Sequence, residues 1–432
     1  MRHVLVTLRT GDWLTRERIR LITFAVLFAS VLAVVWLIAT ASGLNDFAGR
    51  PLGTDFSNVY AAGQLVLDGR AYAAFDPVQQ YARERAIFGE TTPFYGWHYP
   101  PFFLLLAAPL AAMPYPVALG LWQAITLLLY LISIATIIAA CKGTRPDAQS
   151  ECPPARASRS WWLLPAVAFP GVLVNLGHGH NGFLTAALLG GALVQLDRRP
   201  LLAGMLFGLL AYKPQFALLI PLVLVATGRW RTIMAAAVTL ALLVLITTLS
   251  FGPQVWHAFV QFAQFTRAVV LEQGDTGWHK IQTVFSWARM WGGTVPFAYA
   301  AQASATALLA ISLVWLWRSR APFPLQAAGL LLGSLLATPY SLDYDMMALA
   351  PAIAFLAADG LARGFAPYQK TVLAVLWIIP LIARSMAQAT FIPVGVIAMG
   401  ATFVLVMIWA ERVAGSIARS LSALRPVRSH SN

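Results

Sequence analysis

Charge is scarce in this chain. Only 11% of its 432 residues are Asp, Glu, Lys or Arg, too few to cover a soluble protein of this length with a hydrated surface. Cysteine is scarcer still. Cys141 and Cys152 stand without the His or Cys spacing of a metal site and are too few for a disulfide framework, so two free thiols are expected. The P-loop, the dinucleotide fingerprint and the nucleophile elbow are all missing from the positions they would need. No linker, tandem repeat or polar domain breaks the pattern, so residues 1–432 are expected to form a single membrane-embedded domain with a basic cytoplasmic tail at 411–432. Period-two alternation is missing as well, which excludes a β-barrel.

What the chain has instead is apolar length. Hydrophobic residues make up 59% of it and the mean hydropathy is +0.69, which predicts an all-α polytopic membrane protein. Fifteen Trp and twelve Tyr suit a protein with many bilayer interfaces, where amphipathic rings collect. The net charge of +13 would suggest nucleic acid in a soluble protein. Here the basic residues sit beside apolar runs and read as topology signals, so no nucleic-acid partner is expected.

The first apolar run, 21–43, follows Arg2, Arg9, Arg16, Arg18 and Arg20, which places the N-terminus inside. A cleaved signal peptide is the competing reading, but the run is long and 39–43 is a weak cleavage site, so a retained anchor is expected. An outer loop from 44 to 98 carries Asp46, Asp55, Asp68, Asp76, Glu84 and Glu90. Within it, 56–67 and 77–88 read as short amphipathic helices lying along the membrane surface. A run at 99–113 is short for a span. Further runs cover 117–140, 161–176, 182–196, 201–212, 215–227, 232–250, 296–317, 325–338, 345–358, 371–387 and 393–410.

The basic clusters decide the parity of these runs. If 99–113 crosses fully, the loop at 142–160 with Lys142, Arg145, Arg156 and Arg159 is forced outside; if it is re-entrant, every basic cluster stays inside. The second arrangement is preferred, with about twelve transmembrane helices and both termini cytoplasmic. It makes the runs meeting at Lys213-Pro214 a hairpin whose tip points outward, on the side of Asp55. A second outer loop, 251–295, adds Glu272, Asp275, Trp278, His279 and Lys280.

Four polar groups then fall at outer helix ends: Asp55, Lys213, the turn Gly177-His178-Gly179-His180-Asn181-Gly182, and Thr338-Pro339-Tyr340-Ser341-Leu342-Asp343-Tyr344-Asp345. A carboxylate can deprotonate an attacking hydroxyl while Lys and His neutralise a departing phosphate, which suits group transfer from a phosphate-linked donor. Each group also has a structural alternative. Asp55, Asp343 and Asp345 can cap helices, and Lys213 can snorkel to headgroups. His178 and His180 can be turn residues, and as metal ligands they lack a third partner.

Asp55-Phe56 with Tyr60, Tyr99-Pro100-Pro101, the Gly-polar-Asn turn, the stretch from Leu202-Ala203-Gly204 through Gly208 to Lys213-Pro214, and Thr338-Pro339-Tyr340 together resemble glycosyltransferase family 87, over about residues 50–360. The resemblance implies a GT-C type membrane glycosyltransferase that moves a hexose, commonly mannose, from a polyprenyl-phosphate-linked donor to a glycolipid or glycan acceptor at the outer face, with inversion. It implies Asp55 as the general base and Lys213 near the donor phosphate, with His180, Asn181, Asp343 and Tyr99 as candidate contacts to phosphate or sugar. It calls for no cofactor and no metal, since cationic side chains can meet a lipid phosphate, and it suggests a bacterial inner membrane. Two positions depart from the family pattern: the turn usually carries Gln where His180 stands, and a His is common near Asp343. A lipid-linked-sugar flippase or transporter is the alternative from another class. Such proteins show internal repeats and mid-membrane charges, and no repeat is evident here.

Overall fold

A computed structural model of the chain describes residues 2–142 and 163–423. Cys152 and most of the expected cytoplasmic loop at 142–160 lie outside the described residues, as does the end of the basic tail. The described residues form helices and no strands.

Among the described residues, seven helical segments are long and apolar enough to cross a bilayer. They are α2 (Arg16–Ala39), α6 (Tyr115–Lys142), α12 (Trp230–Phe251), α15 (Val295–Arg318), the 3₁₀ turn Asp343–Ala348 continued by α17 (Leu349–Arg363), α18 (Gln369–Thr390) and α19 (Val394–Ala423). Shorter apolar pieces run between them: α7 (163–167), α8 (Pro170–His178), α9 (Gly182–Gln195), α10 (Pro200–Leu209), α11 (Ile220–Ala226) and α16 (Phe323–Leu336). Proline opens α8, α10, α11 and α16 within their first turns, where its missing N–H costs nothing.

Cross-links between helices fix their directions. Tyr115 at the start of α6 donates to the carbonyl of Leu52, so α6 begins where the chain emerges from α2. Trp122 donates to Gly179 O, Gln123 to Leu176 O and Tyr130 to Ala166 O, so α7 and α8 climb back antiparallel to α6. Asp197, after α9, pairs with Arg229, after α11, at 2.6 Å. The hairpin of α10 and α11 therefore has its base at that end and its tip, Lys213-Pro214, at the other. Gln302 reaches Leu336 O and Trp317 reaches Gln326 O, which makes α15 and α16 antiparallel. At the opposite end from Asp55, α1 (Arg2–Thr10) docks on the start of α18, with Tyr368 N donating to Arg9 O and Thr371 to Leu8 O. The basic segments around Arg9, Arg198, Arg229, Arg318 and Arg363 thus share one end of the bundle. The turns carrying Asp55, His180, Lys213 and Asp343 share the other.

The segment before α6 does not cross. α5 (Leu104–Ala111) extends only ~12 Å at 1.5 Å per residue, against a hydrocarbon core of ~30 Å. Gln64 and Tyr60 of α3 (Thr54–Leu67) bind the carbonyls of Ala111 and Met113 at 2.7 and 2.8 Å, so the segment enters and returns at the Asp55 end.

The helices read from the first loop form as α3 and α4 (Pro77–Phe88), but α3 is more than a surface helix. Nine of its 14 residues are buried. The cause is close backbone approach: a Cβ on Gly63 would run into the carbonyl oxygen of Ala107, so only glycine lets α5 lie this near. The expected second outer loop also has structure of its own. It contains α13 (Gln254–Thr266), a π-helical turn at Arg267–Gln273 and α14 (Val284–Met290). An antiparallel bridge, Ile281 with Leu342, and a bond from Gln282 N to Ser341 O of 2.8 Å tie it to the late Pro-containing turn.

Candidate active site

Asp55 stands in the first turn of α3, behind Gly53 as N-cap. Helix-capping is the plain alternative for this residue. The N-cap position is taken by Gly53, and the buried Oδ2 of Asp55 has no hydrogen-bond partner. The macrodipole of α3 favours a carboxylate there, yet burial dominates and pushes the Asp55 carboxyl up from the ordinary aspartate range. His178, Lys213, Asp343 and Asp345 all lie within its electrostatic reach.

The histidine turn is held against Asp55 by backbone. Gly179 adopts a left-handed conformation (φ 62°) at the end of α8, and a Cβ there would meet Phe56 Cβ at 2.7 Å and Gly53 Cα at 3.2 Å. Two left-handed glycines in contact therefore set the spacing between the start of α3 and the turn. Thr54 Oγ1 lies 2.7 Å from His178 Nδ1 and completes the junction. His180, 2% exposed, has its ring 3.6 Å from that of Tyr344. Its Nδ1 has no partner, and neither side-chain polar atom of the equally buried Asn181 has one. Buried polar atoms seldom stay unsatisfied, and a cluster of them in the turn packed against the start of α3 fits a place where a polar ligand sits.

Lys213 reaches the same end from the α10–α11 hairpin. Its ammonium donates to Asp345 Oδ1 at 2.5 Å and lies 3.5 Å from His180 Nε2. Both partners of the ion pair are almost fully buried. Asp345 also accepts from Leu342 N at 3.0 Å, so the pair pins the late turn to the hairpin tip. Asp343 accepts from Tyr344 N at 2.9 Å and faces Arg384 of α18 at 3.5 Å. Tyr99 packs among Trp97, Phe103 and Tyr212 and is within electrostatic reach of Asp55. All six residues singled out from the sequence therefore come to one end of the bundle. Asp55, His180, Lys213 and Asp343 are linked there through short contacts or direct electrostatics, with Asn181 beside His180 and Tyr99 at the margin.

Sequence reasoning left out Arg384 and gave Lys280 and His279 only a surface. Lys280 and His279 sit close enough to Arg384 and Asp343 to feel their charge. Burial lowers the affinity of Lys280 for its proton. A lone cation inside the apolar run 371–387 was the available signal for Arg384. Among the described residues no group of three His, Cys, Asp or Glu side chains is placed to hold a metal ion.

The sequence model of glycosyltransferase family 87 matches residues 97–339, more than half of the chain. The chain belongs to this family. It is therefore a membrane glycosyltransferase. Tyr99, His180, Asn181 and Lys213 lie inside the matched region of this family 87 chain; Asp55, Asp343 and Arg384 lie outside it. No curated protein and no solved structure gives a significant match.

Proposed function

We propose that this family 87 enzyme transfers a hexose, with mannose as the first choice, from a polyprenyl-phosphate donor to an acceptor hydroxyl at the outer face of a bacterial inner membrane, with inversion, and that it does so at the unsatisfied polar cluster around Asp55. One observation carries the reading. Asp55 is a carboxylate whose buried oxygen has no hydrogen bond, set at the meeting point of His178, Lys213 and the late turn, and a group so placed is free to accept a proton. In the reaction, Asp55 takes the proton of the acceptor hydroxyl as its oxygen attacks the anomeric carbon. The bond from that carbon to the phosphate oxygen breaks, and polyprenyl phosphate leaves. A phosphate leaving group needs no general acid, so one base suffices, and a single displacement inverts the anomeric centre.

The placement of the basic clusters at the opposite end supports an outward-facing site and cytoplasmic termini. We further propose that the chain acts as a single domain and that the acceptor is a glycolipid or glycan. The deciding experiment measures sugar transfer from radiolabelled polyprenyl phosphate mannose in membranes containing the wild type or Asp55→Asn at equal protein level. Transfer by the wild type and loss in the variant is the expected result. Equal transfer by both removes Asp55 from the mechanism, and donor translocation without transfer points to the flippase reading.

A further inference from the structure

A groove of about 380 Å³ opens between α2, α8 and α18, within the size range of small-ligand sites (~300–1,000 Å³). Ala33, Val34, Trp36 and Leu37 of α2 and Leu381 of α18 give it apolar walls, and His178, Asp343, Arg384 and Ser385 are its polar members. His178 joins the groove to the site, because the same ring contacts Thr54, the neighbour of Asp55.

The cations at this end are not equivalent. The Lys213 ammonium is 5% exposed and has a carboxylate oxygen at 2.5 Å, so its charge is already met. The Arg384 side chain is 40% exposed, and its nearest carboxylate, Asp343, is 3.5 Å away. Lys280 adds a second cation near that one carboxylate. Of Lys213 and Arg384, Arg384 is therefore the one whose charge is less fully met. Guanidinium is always charged and binds phosphate oxygens through a planar pair of N–H groups.

Resting on the donor class proposed above, we infer that Arg384 is the residue that holds the donor phosphate, with the first isoprene units lying in the groove between α2 and α18, and that Lys213 positions the late turn without touching the phosphate. A phosphodiester donor carries one negative charge, and the departing phosphate monoester gains part of a second. Arg384 and Lys280 stand where that charge develops, and His178 marks the direction in which the sugar points toward Asp55.

The test compares binding of farnesyl phosphate and of farnesol to the purified full-length protein in nanodiscs. Wild type is expected to prefer farnesyl phosphate on the order of ten-fold or more, Arg384→Lys to keep part of that preference, and Arg384→Gln to bind the two alike. A merely structural role for Arg384 would weaken both ligands together. A wild type that fails to prefer the phosphate overturns the donor reading and this inference with it. A wild type that prefers it while Arg384→Gln prefers it equally overturns the assignment of Arg384 alone. Independently of any variant, a polyprenyl phosphate bearing a diazirine on its first isoprene unit is expected to label 33–37 of α2 and Leu381 of α18. Labelling confined to other helices overturns the groove.

Discussion

Two carboxylates of the first loop, Glu84 and Asp55, are withdrawn from water, the first wholly and the second at one oxygen, and they are treated in opposite ways. Glu84 lies on the buried face of α4 and accepts from Tyr95 N and Gly96 N at 3.0 Å each and from Gln80 at 3.1 Å. It closes the loop that leads to Tyr99. Asp55 accepts nothing at its buried oxygen. Burial raises both carboxyls, that of Glu84 to about 7. A carboxylate surrounded by donors serves architecture, whereas one left without them retains its capacity to take a proton from something else. The contrast separates structural from reactive acid in one loop.

The sharpest way to break this contrast is Asp55→Asn. Transfer should fall by ~10²–10⁴-fold, the usual worth of a positioned base, while the thermal midpoint stays level or rises, because the buried oxygen has no protein hydrogen bond to lose. A variant that loses both transfer and stability would place Asp55 with Glu84. For the same reason the acid limb of the wild-type rate profile should lie above the ordinary aspartate range, with activity rising as pH climbs through the elevated Asp55 value.

Next in size is Lys213→Met, which strands the Asp345 carboxylate in the interior and should cost ~3–5 kcal/mol by denaturant unfolding. Adding Asp345→Leu should recover most of that loss. If the double variant is as unstable as the single one, the pair is not what ties the late turn to the hairpin.

Glu84→Gln sets an amide N–H₂ against a backbone donor and should cost about 1–3 kcal/mol, with transfer reduced far less than in Asp55→Asn. It carries a pH signature too. With the folded value raised to about 7 over an unfolded value of ~4.3, the unfolded chain loses its proton first. The contribution of Glu84 is thus full below about pH 4.3 and declines as pH rises toward 7. Melting curves of the Gln variant should lack that slope. Smallest is Thr54→Val, which removes the bond to His178 and should cost ~1 kcal/mol. A thermal midpoint identical to wild type would show that this contact does not help fix the junction.

Much of the architecture could be read from the sequence, because long apolar runs punctuated by Arg pairs can be buried in few ways besides a helical bundle in a bilayer; α12 between Arg229 and Gly252 is an example. The re-entrant reading of 99–113 came from keeping the basic clusters on one side, and the shortness of α5 agrees with it. The first-loop helices were visible through their spacing, but the depth of α3 was not, since it depends on a contact between Gly63 and a carbonyl 44 positions away. The same limit applies to the site. Lys213 could be recognised beside its proline, whereas its pairing with Asp345 across 132 positions is tertiary information. Arg384 was concealed by its own surroundings, a helix that otherwise reads as a plain membrane segment.

Along most of its length α2 is barely packed, with Thr23 its one buried residue. It is nevertheless anchored at both extremities. At one, Trp13 binds Thr371 and α1 clasps the start of α18; at the other, Asn45 holds Phe88 O and Tyr115 holds Leu52 O. A strut fixed at its ends and free between them can bow outward without detaching. For the lipid-linked donor proposed above, the wall that faces lipid would then also be a door, through which the substrate enters sideways from the bilayer. A bifunctional cross-link between cysteines placed at Ala33 and Leu381 would bolt that door, and uptake of the proposed lipid donor would stop.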